Sequence, residues 1–111
     1  MNELDKLQEY LEQNGYDVER IDRMPSKELL KLYRLAGIKA KGVGEFHQVN
    51  VYIINDLGER VCLFDAICHY GSYGFNEGLL EVMSSYLVNN DNYIEGHLTA
   101  KEIINRLEAL S

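Results

Sequence analysis

Residues 46–70 read FHQVNVYIINDLGERVCLFDAICHY, and the fold turns on them. From Phe46 to Asn55 apolar residues alternate, with Val49, Val51 and Ile53 on one side and His47 at the same parity. That is the period of a half-buried β-strand. Asp56-Leu57-Gly58-Glu59 then supplies a turn, with glycine where a positive φ is easiest. Arg60 to Tyr70 returns as a second strand, irregular near Asp65-Ala66. Both its parities are apolar, Val61, Leu63 and Ile67 against Cys62, Phe64, Ala66 and Cys68. This predicts a central strand covered on both faces.

Upstream, Leu4, Leu7 and Leu11, with Tyr10 alongside, recur at helical spacing, and Asn14-Gly15 ends the pattern. Pro25-Ser26 opens a second helix in which Leu29, Leu32, Tyr33 and Ala36 share a face, closed by Gly37. Both stripes read as core packing, so we expect a helical hairpin joined by the polar segment Tyr16 to Met24, with Val18, Ile21 and Met24 pinning it. The run KAKGVG at residues 39–44 has no periodicity and marks a boundary. The expected units are a helical hairpin over 1–41 and an α+β unit over 42–111, forming one compact body.

Downstream of Gly71-Ser72-Tyr73-Gly74, the spacing of Leu79, Val82, Met83 and Tyr86 predicts a helix from Asn76 to Tyr86. Leu87-Val88 and Tyr93-Ile94 flank a polar tip, as in a short hairpin or ordered loop. Thr99 with Glu102 forms a capping box, Leu98 is placed to staple onto Ile103, and Ile103, Ile104, Leu107 and Leu110 supply the last helical stripe. The expected fold class is α+β: an N-terminal helical hairpin packed on a small antiparallel β-sheet with two further helices.

A chain of 111 residues that is 46% hydrophobic and 26% charged has the composition of a globular domain. Its net charge of -7 argues against coating of nucleic acid or anionic membranes. The charge is sorted. Residues 1–41 hold 8 basic and 8 acidic side chains, whereas residues 42–111 hold 3 basic and 10 acidic ones. Lys27, Lys31 and Arg34 fall on one helical face, a basic stripe beside an acidic body. The stripe reads either as a solvated helix face or as a docking surface for an acidic partner or a nucleic-acid backbone. Two cysteines suit a reducing compartment, and neither a signal peptide nor a membrane span is legible, so a cytoplasmic location is expected.

Candidate chemistry is sparse. Cys62, Asp65, Cys68 and His69 cluster in sequence, but on one strand the cysteines stand about 20 Å apart, too far for a shared zinc or a disulfide. A zinc site would need His47 or His97 to converge on the same sulfur. We read both cysteines as core residues and expect neither metal nor cofactor. The glycine-rich run 69–78 matches no phosphate-binding fingerprint, and Glu77 and Glu81 oppose an anion there. It offers Tyr70, Tyr73 and Phe75 either as a contact surface or as aromatics packed inward at a crossover. A small-ligand site for a nucleotide, lined by Tyr70, Tyr73 and His97, is the alternative. No acid–base pair or triad stands out, so no enzymatic activity is expected.

Two resemblances bear on function. The segment LDKLQEYLEQNGY with SKELLKLYRLAG is weakly similar to the helix-extended-loop-helix units of SAP-like modules, which contact nucleic acid or proteins. The stretch GSYGFNEGLLEVM, followed by IEGHLTAKEIINRL, resembles the C-terminal part of small uncharacterised proteins of Gram-positive phages, prophages and plasmids. That resemblance implies a setting in which small acidic proteins bind host enzymes, CRISPR nucleases among them, and block them. The expected function is therefore non-enzymatic: binding and inhibition of a host or phage protein that handles nucleic acid or acts in defence. The candidate contact residues are Glu77, Glu81 and Tyr73 on the acidic aromatic side and Lys27, Lys31 and Arg34 on the basic stripe. Direct nucleic-acid binding through that stripe is the further alternative.

Overall fold

In a computed structural model, which describes residues 1–38, 43–69, 72 and 74–110, the 46–69 stretch forms the hairpin its alternation predicts. β2 (Phe46–Ile54) and β3 (Arg60–His69) pair antiparallel, Phe46 opposite His69 and Ile54 opposite Arg60. At the turn the Asn55 carboxamide oxygen accepts from the backbone N–H groups of Leu57 and Glu59, at 3.0 and 2.9 Å, while Gly58 takes φ +79°. β1 (Asp17–Arg23), β4 (Leu80–Met83) and β5 (Ile94–Leu98) complete an antiparallel sheet of five strands among the described residues, in the order β1-β2-β3-β4-β5. β3 takes the central position, as expected.

One face of the sheet is roofed. α1 (Glu3–Gln13) packs on β1 to β3 and against α3 (Ala100–Ala109). Leu4, Leu7 and Leu11 meet Ile103 and Leu107 in one core with Val49, Val51, Phe64, Ala66, Leu80 and Val82. Each of these side chains larger than alanine contributes about 1.5–3 kcal/mol by leaving water. The helix starts are capped as their sequences require. The Asn2 side chain accepts from the Asp5 N–H, and Thr99 with Glu102 closes the capping box. Glu3 Oε1 accepts from the Ala100 N–H at 3.1 Å, tying the two helix starts together. Arg20 of β1 reaches Asp5 and Gln8 of α1, both at 2.9 Å. Arg106 of α3 holds Glu95 of β5 through two hydrogen bonds of 2.6 and 3.0 Å. Thus an α+β fold with an antiparallel sheet and a helix at the N-terminus is present.

Within that class four expectations are corrected. The segment read as a polar connector, 16–24, contains β1, an edge strand whose residues alternate Val18 and Arg20 toward α1 with Glu19 and Ile21 away from it. The second helix, α2 (Lys27–Leu35), buries none of its residues, so its stripe is not core packing and the helical hairpin does not form as expected. α2 instead projects from the point where the chain leaves the sheet at Arg23 and rejoins it opposite, at Phe46, in a molecule measuring 52 × 28 × 24 Å. Gly44, at φ +83°, lies close against this segment: a Cβ there would stand 2.9 Å from Pro25 Cβ and 3.3 Å from Tyr33 Cε2.

The predicted helix at 76–86 is replaced by a 3-10 turn (Phe75–Glu77), ended by Gly78 at φ +71°, and then β4. Ser84, almost fully buried, then holds the next turn by donating to the Leu63 carbonyl at 2.8 Å and accepting from the N–H groups of Tyr86 and Leu87. Finally, among the described residues nothing covers the second face of β3, and Cys62 is not core. A bulge near Val51/Tyr52 sets Cys62 opposite Tyr52 on the side away from the helices, where it is exposed, while Cys68 is half-buried on the helix side.

Candidate functional site

The face of the sheet turned away from α1 and α3 carries no helix among the described residues. The parity of Val49 and Val51 toward the core sends Phe46, Gln48, Asn50 and Tyr52 of β2 to this open face, joined by Asp65 and Ile67 of β3, Glu81 and Met83 of β4 and Ile94 of β5. Phe46, Gln48, Asp65, Ile67, Glu81, Met83 and Ile94 surround a shallow pocket of about 170 Å³. Its floor is apolar, and its charges are two carboxylates. Burial pushes the Asp65 carboxyl above the usual range, against the pull of the Met83 backbone N–H and of the Gln48 amide, which donates to it at 3.3 Å.

Toward β1 the open face becomes a polar lattice. Glu19 accepts from the Asn50 amide and the Tyr52 hydroxyl, both at 3.1 Å. The Arg60 guanidinium sits 3.7 Å over the Tyr52 ring and donates to both oxygens of Asp17. Phe46 stacks on His69 with ring centroids 5.4 Å apart, and Arg23 lies 5.5 Å from the Phe46 centroid. These contacts fix the side chains around the pocket before anything binds.

Of the residues nominated from sequence, Glu81 lies on this face, half-buried and opposite Ile67. Glu77 is exposed in the 3-10 turn and does not line the pocket. Lys27, Lys31 and Arg34 are exposed on one side of α2, and among the described residues none of them forms an ion pair. Beside them stand Leu32, 60% exposed, and Leu35, 77% exposed. Tyr73, and with it the Tyr70 and Tyr73 part of the alternative ligand site, lies outside the described residues. His97 is exposed on β5 at φ +59°, with its backbone against Gly74.

The roofed side holds a second, wider depression of about 400 Å³, between Asn2, Glu45, His47, Cys68, Phe75, Asn76 and Gly78. His47 pairs across the strands with Cys68, and Asp22 Oδ1 meets its Nδ1 at 2.7 Å. Sequence reasoning weighed His47 only as a partner for a cysteine sulfur and missed Asp22, because that link requires 17–23 to be a strand. Burial, and secondarily the Glu45 charge, push the Cys68 thiol up, so it is held protonated rather than as a nucleophilic thiolate. Among the described residues no three His, Cys, Asp or Glu side chains converge to hold a metal ion, and no helix is long and apolar enough to cross a membrane.

No protein-family model, curated protein or solved structure matches this chain. What the surface can do is therefore read from its own chemistry.

Proposed function

We propose that this chain is a non-enzymatic binding protein of a phage or other mobile element that occupies a basic surface on a host protein handling nucleic acid, and so inhibits it in the manner of an anti-CRISPR protein. The observation that carries the reading is the unroofed sheet face, where an apolar floor is set around Asp65 and Glu81. Such a surface favours a partner that brings a cationic side chain flanked by apolar ones, the composition of a nucleic-acid groove seen from within. The acidic excess of residues 42–111 adds long-range attraction to the same partner and speeds encounter. The protonated Cys68 thiol supports binding over nucleophilic chemistry. The partner's identity rests on the resemblance to phage and plasmid proteins.

The experiment is affinity capture from a bacterial lysate at low and high salt, with the captured protein then assayed for nucleic-acid binding or cleavage. We expect a basic protein, released by salt and inhibited by this chain, and expect Glu81→Lys with Met83→Lys to abolish capture while far-UV circular dichroism stays unchanged. Undiminished capture by that double variant removes the open face from the function. The basic stripe of α2 supports a second reading, direct contact with a nucleic-acid backbone. Three cations limit the salt dependence to a log–log slope of about -3, so a steeper slope in a DNA titration excludes that stripe as the whole contact.

A further inference from the structure

Helix α2 and the open sheet face complement one another, yet they do not meet within one chain. At 3.6 residues per turn, Lys27, Lys31 and Arg34 occupy a sector of about 60°. Leu30 borders it on one side and Leu35, then Leu32, on the other. Leu29 and Tyr33, the partly buried positions, face the opposite way, so the exposed half of α2 is a basic ridge between leucine shoulders, with Glu28 set between Leu35 and Leu32 at the outer edge of one of them. The open face is its negative: Asp65 and Glu81 lie among Phe46, Ile67, Met83 and Ile94. The sizes also agree. A nine-residue helix is about 14 Å long, and the four strands β2 to β5 at about 4.8 Å spacing give a floor about 14 Å across.

We propose that two copies of this chain form a dimer by exchanging arms, the α2 of each lying on the open sheet face of the other. Lys31 and Arg34 then meet Asp65 and Glu81 of the second copy, while the leucine shoulders cover the apolar floor. The exchange is reciprocal: a two-fold axis applies the same contact twice and leaves no unmatched arm, so the assembly closes at two chains. It also accounts for an amphipathic helix none of whose residues is fully buried, since leucines exposed to 60% and 77% on a projecting helix form a surface that favours being covered. The proposal uses the same face as the function proposed above but not the same partner. In the dimer that face is masked, and a basic protein binds by displacing the arm.

The test is sedimentation equilibrium of the full chain over a wide concentration range, at low and high salt. We expect a dimer that weakens as salt rises. Lys31→Glu with Arg34→Glu in one chain, and Asp65→Asn with Glu81→Lys in another, each weaken self-association at least tenfold. Mixing these two variants restores a dimer, because each arm then finds a face of opposite charge. A wild-type chain that stays monomeric throughout overturns the proposal, as does a mixture that remains monomeric. Loss of the dimer in Leu32→Glu with Leu35→Glu but not in Met83→Lys shows helix-to-helix pairing instead, and also overturns it. A monomer that still captures a basic protein defeats the dimer alone, and a salt-sensitive dimer that captures none defeats the earlier reading alone.

Discussion

Replacing Gly74 by alanine tests how the chain is held between β3 and β4. Gly74 takes φ +96°, and a Cβ there would stand 2.9 Å from Leu79 Cβ and 3.0 Å from both Cα and N of His97. The left-handed conformation alone costs an L-residue about 1–2 kcal/mol. The collision adds to it, because two of the three atoms met are backbone and cannot swing aside. Forcing a methyl group into a packed site costs about 1–3 kcal/mol more. The total is about 2–5 kcal/mol, a large share of the stability of a domain this size. Gly78 is the internal control: it takes φ +71°, and a Cβ there would meet nothing within 4 Å, so Gly78→Ala carries only the first cost. The assay is urea unfolding followed by far-UV circular dichroism or by the fluorescence of the eight tyrosines, since the chain has no tryptophan. With an m-value of about 1–3 kcal/mol per molar urea, the Gly74 variant unfolds at a midpoint about 1 M below that of the Gly78 variant. Equal losses in the two variants refute the close approach of Gly74 to β5.

Phe64, central in the core, should cost about 3–5 kcal/mol on truncation to alanine, read in the same unfolding assay. Thr99→Ala removes the α3 cap and should cost about 1 kcal/mol, read as a lower urea midpoint with an unchanged m-value. On acidification, Asp22, Asp17, Glu3 and Glu95 are held below the usual carboxylate range chiefly by hydrogen bonds from His47, Arg60, Lys6 and Arg106. Their folded-state values being depressed, the stability they contribute is present above about pH 4, the unfolded value, and is lost as pH falls through the lower folded values. Glu95→Gln should therefore flatten the acid limb of a stability–pH curve. Asp65 has the opposite sign: burial raises its folded value, so its charge penalises the fold at neutral pH and the penalty fades as pH drops. Asp65→Asn should stabilise the protein at neutral pH and leave its stability in strong acid unchanged.

The β2–β3 hairpin was legible because its apolar residues alternate cleanly and its turn carries a glycine at the one position with positive φ. α1 and α3 were legible because leucine spacing and capping residues agreed. β1 was hidden because Val18 and Ile21 have opposite parity and every other position of DVERIDR is charged, leaving no period of two to detect at a sheet edge. β4 was hidden for the converse reason: Leu79, Val82, Met83 and Tyr86 satisfy helical spacing, and a four-residue strand is too short to contradict it. The periodicity of α2 announced the helix itself, but not that its apolar stripe stays out of the core, because spacing alone does not say what a face packs against. For the same reason Glu81, Lys31 and Arg34 could be nominated from charge alone, while Asp65, Met83 and Ile94 emerged only when strand register brought them together. The bulge that turned Cys62 outward left no mark in composition.

Arg23 and Phe46 face each other across β1 and β2, so the polypeptide between them departs from and returns to a single rung of the ladder. The five-stranded scaffold closes without that excursion. A tight two-residue loop in its place would preserve every strand pairing, and a different helix could be spliced in at the same rung. Ladder and insert are in this sense separable: the α2 excursion can change in length or sequence with the hydrophobic interior untouched.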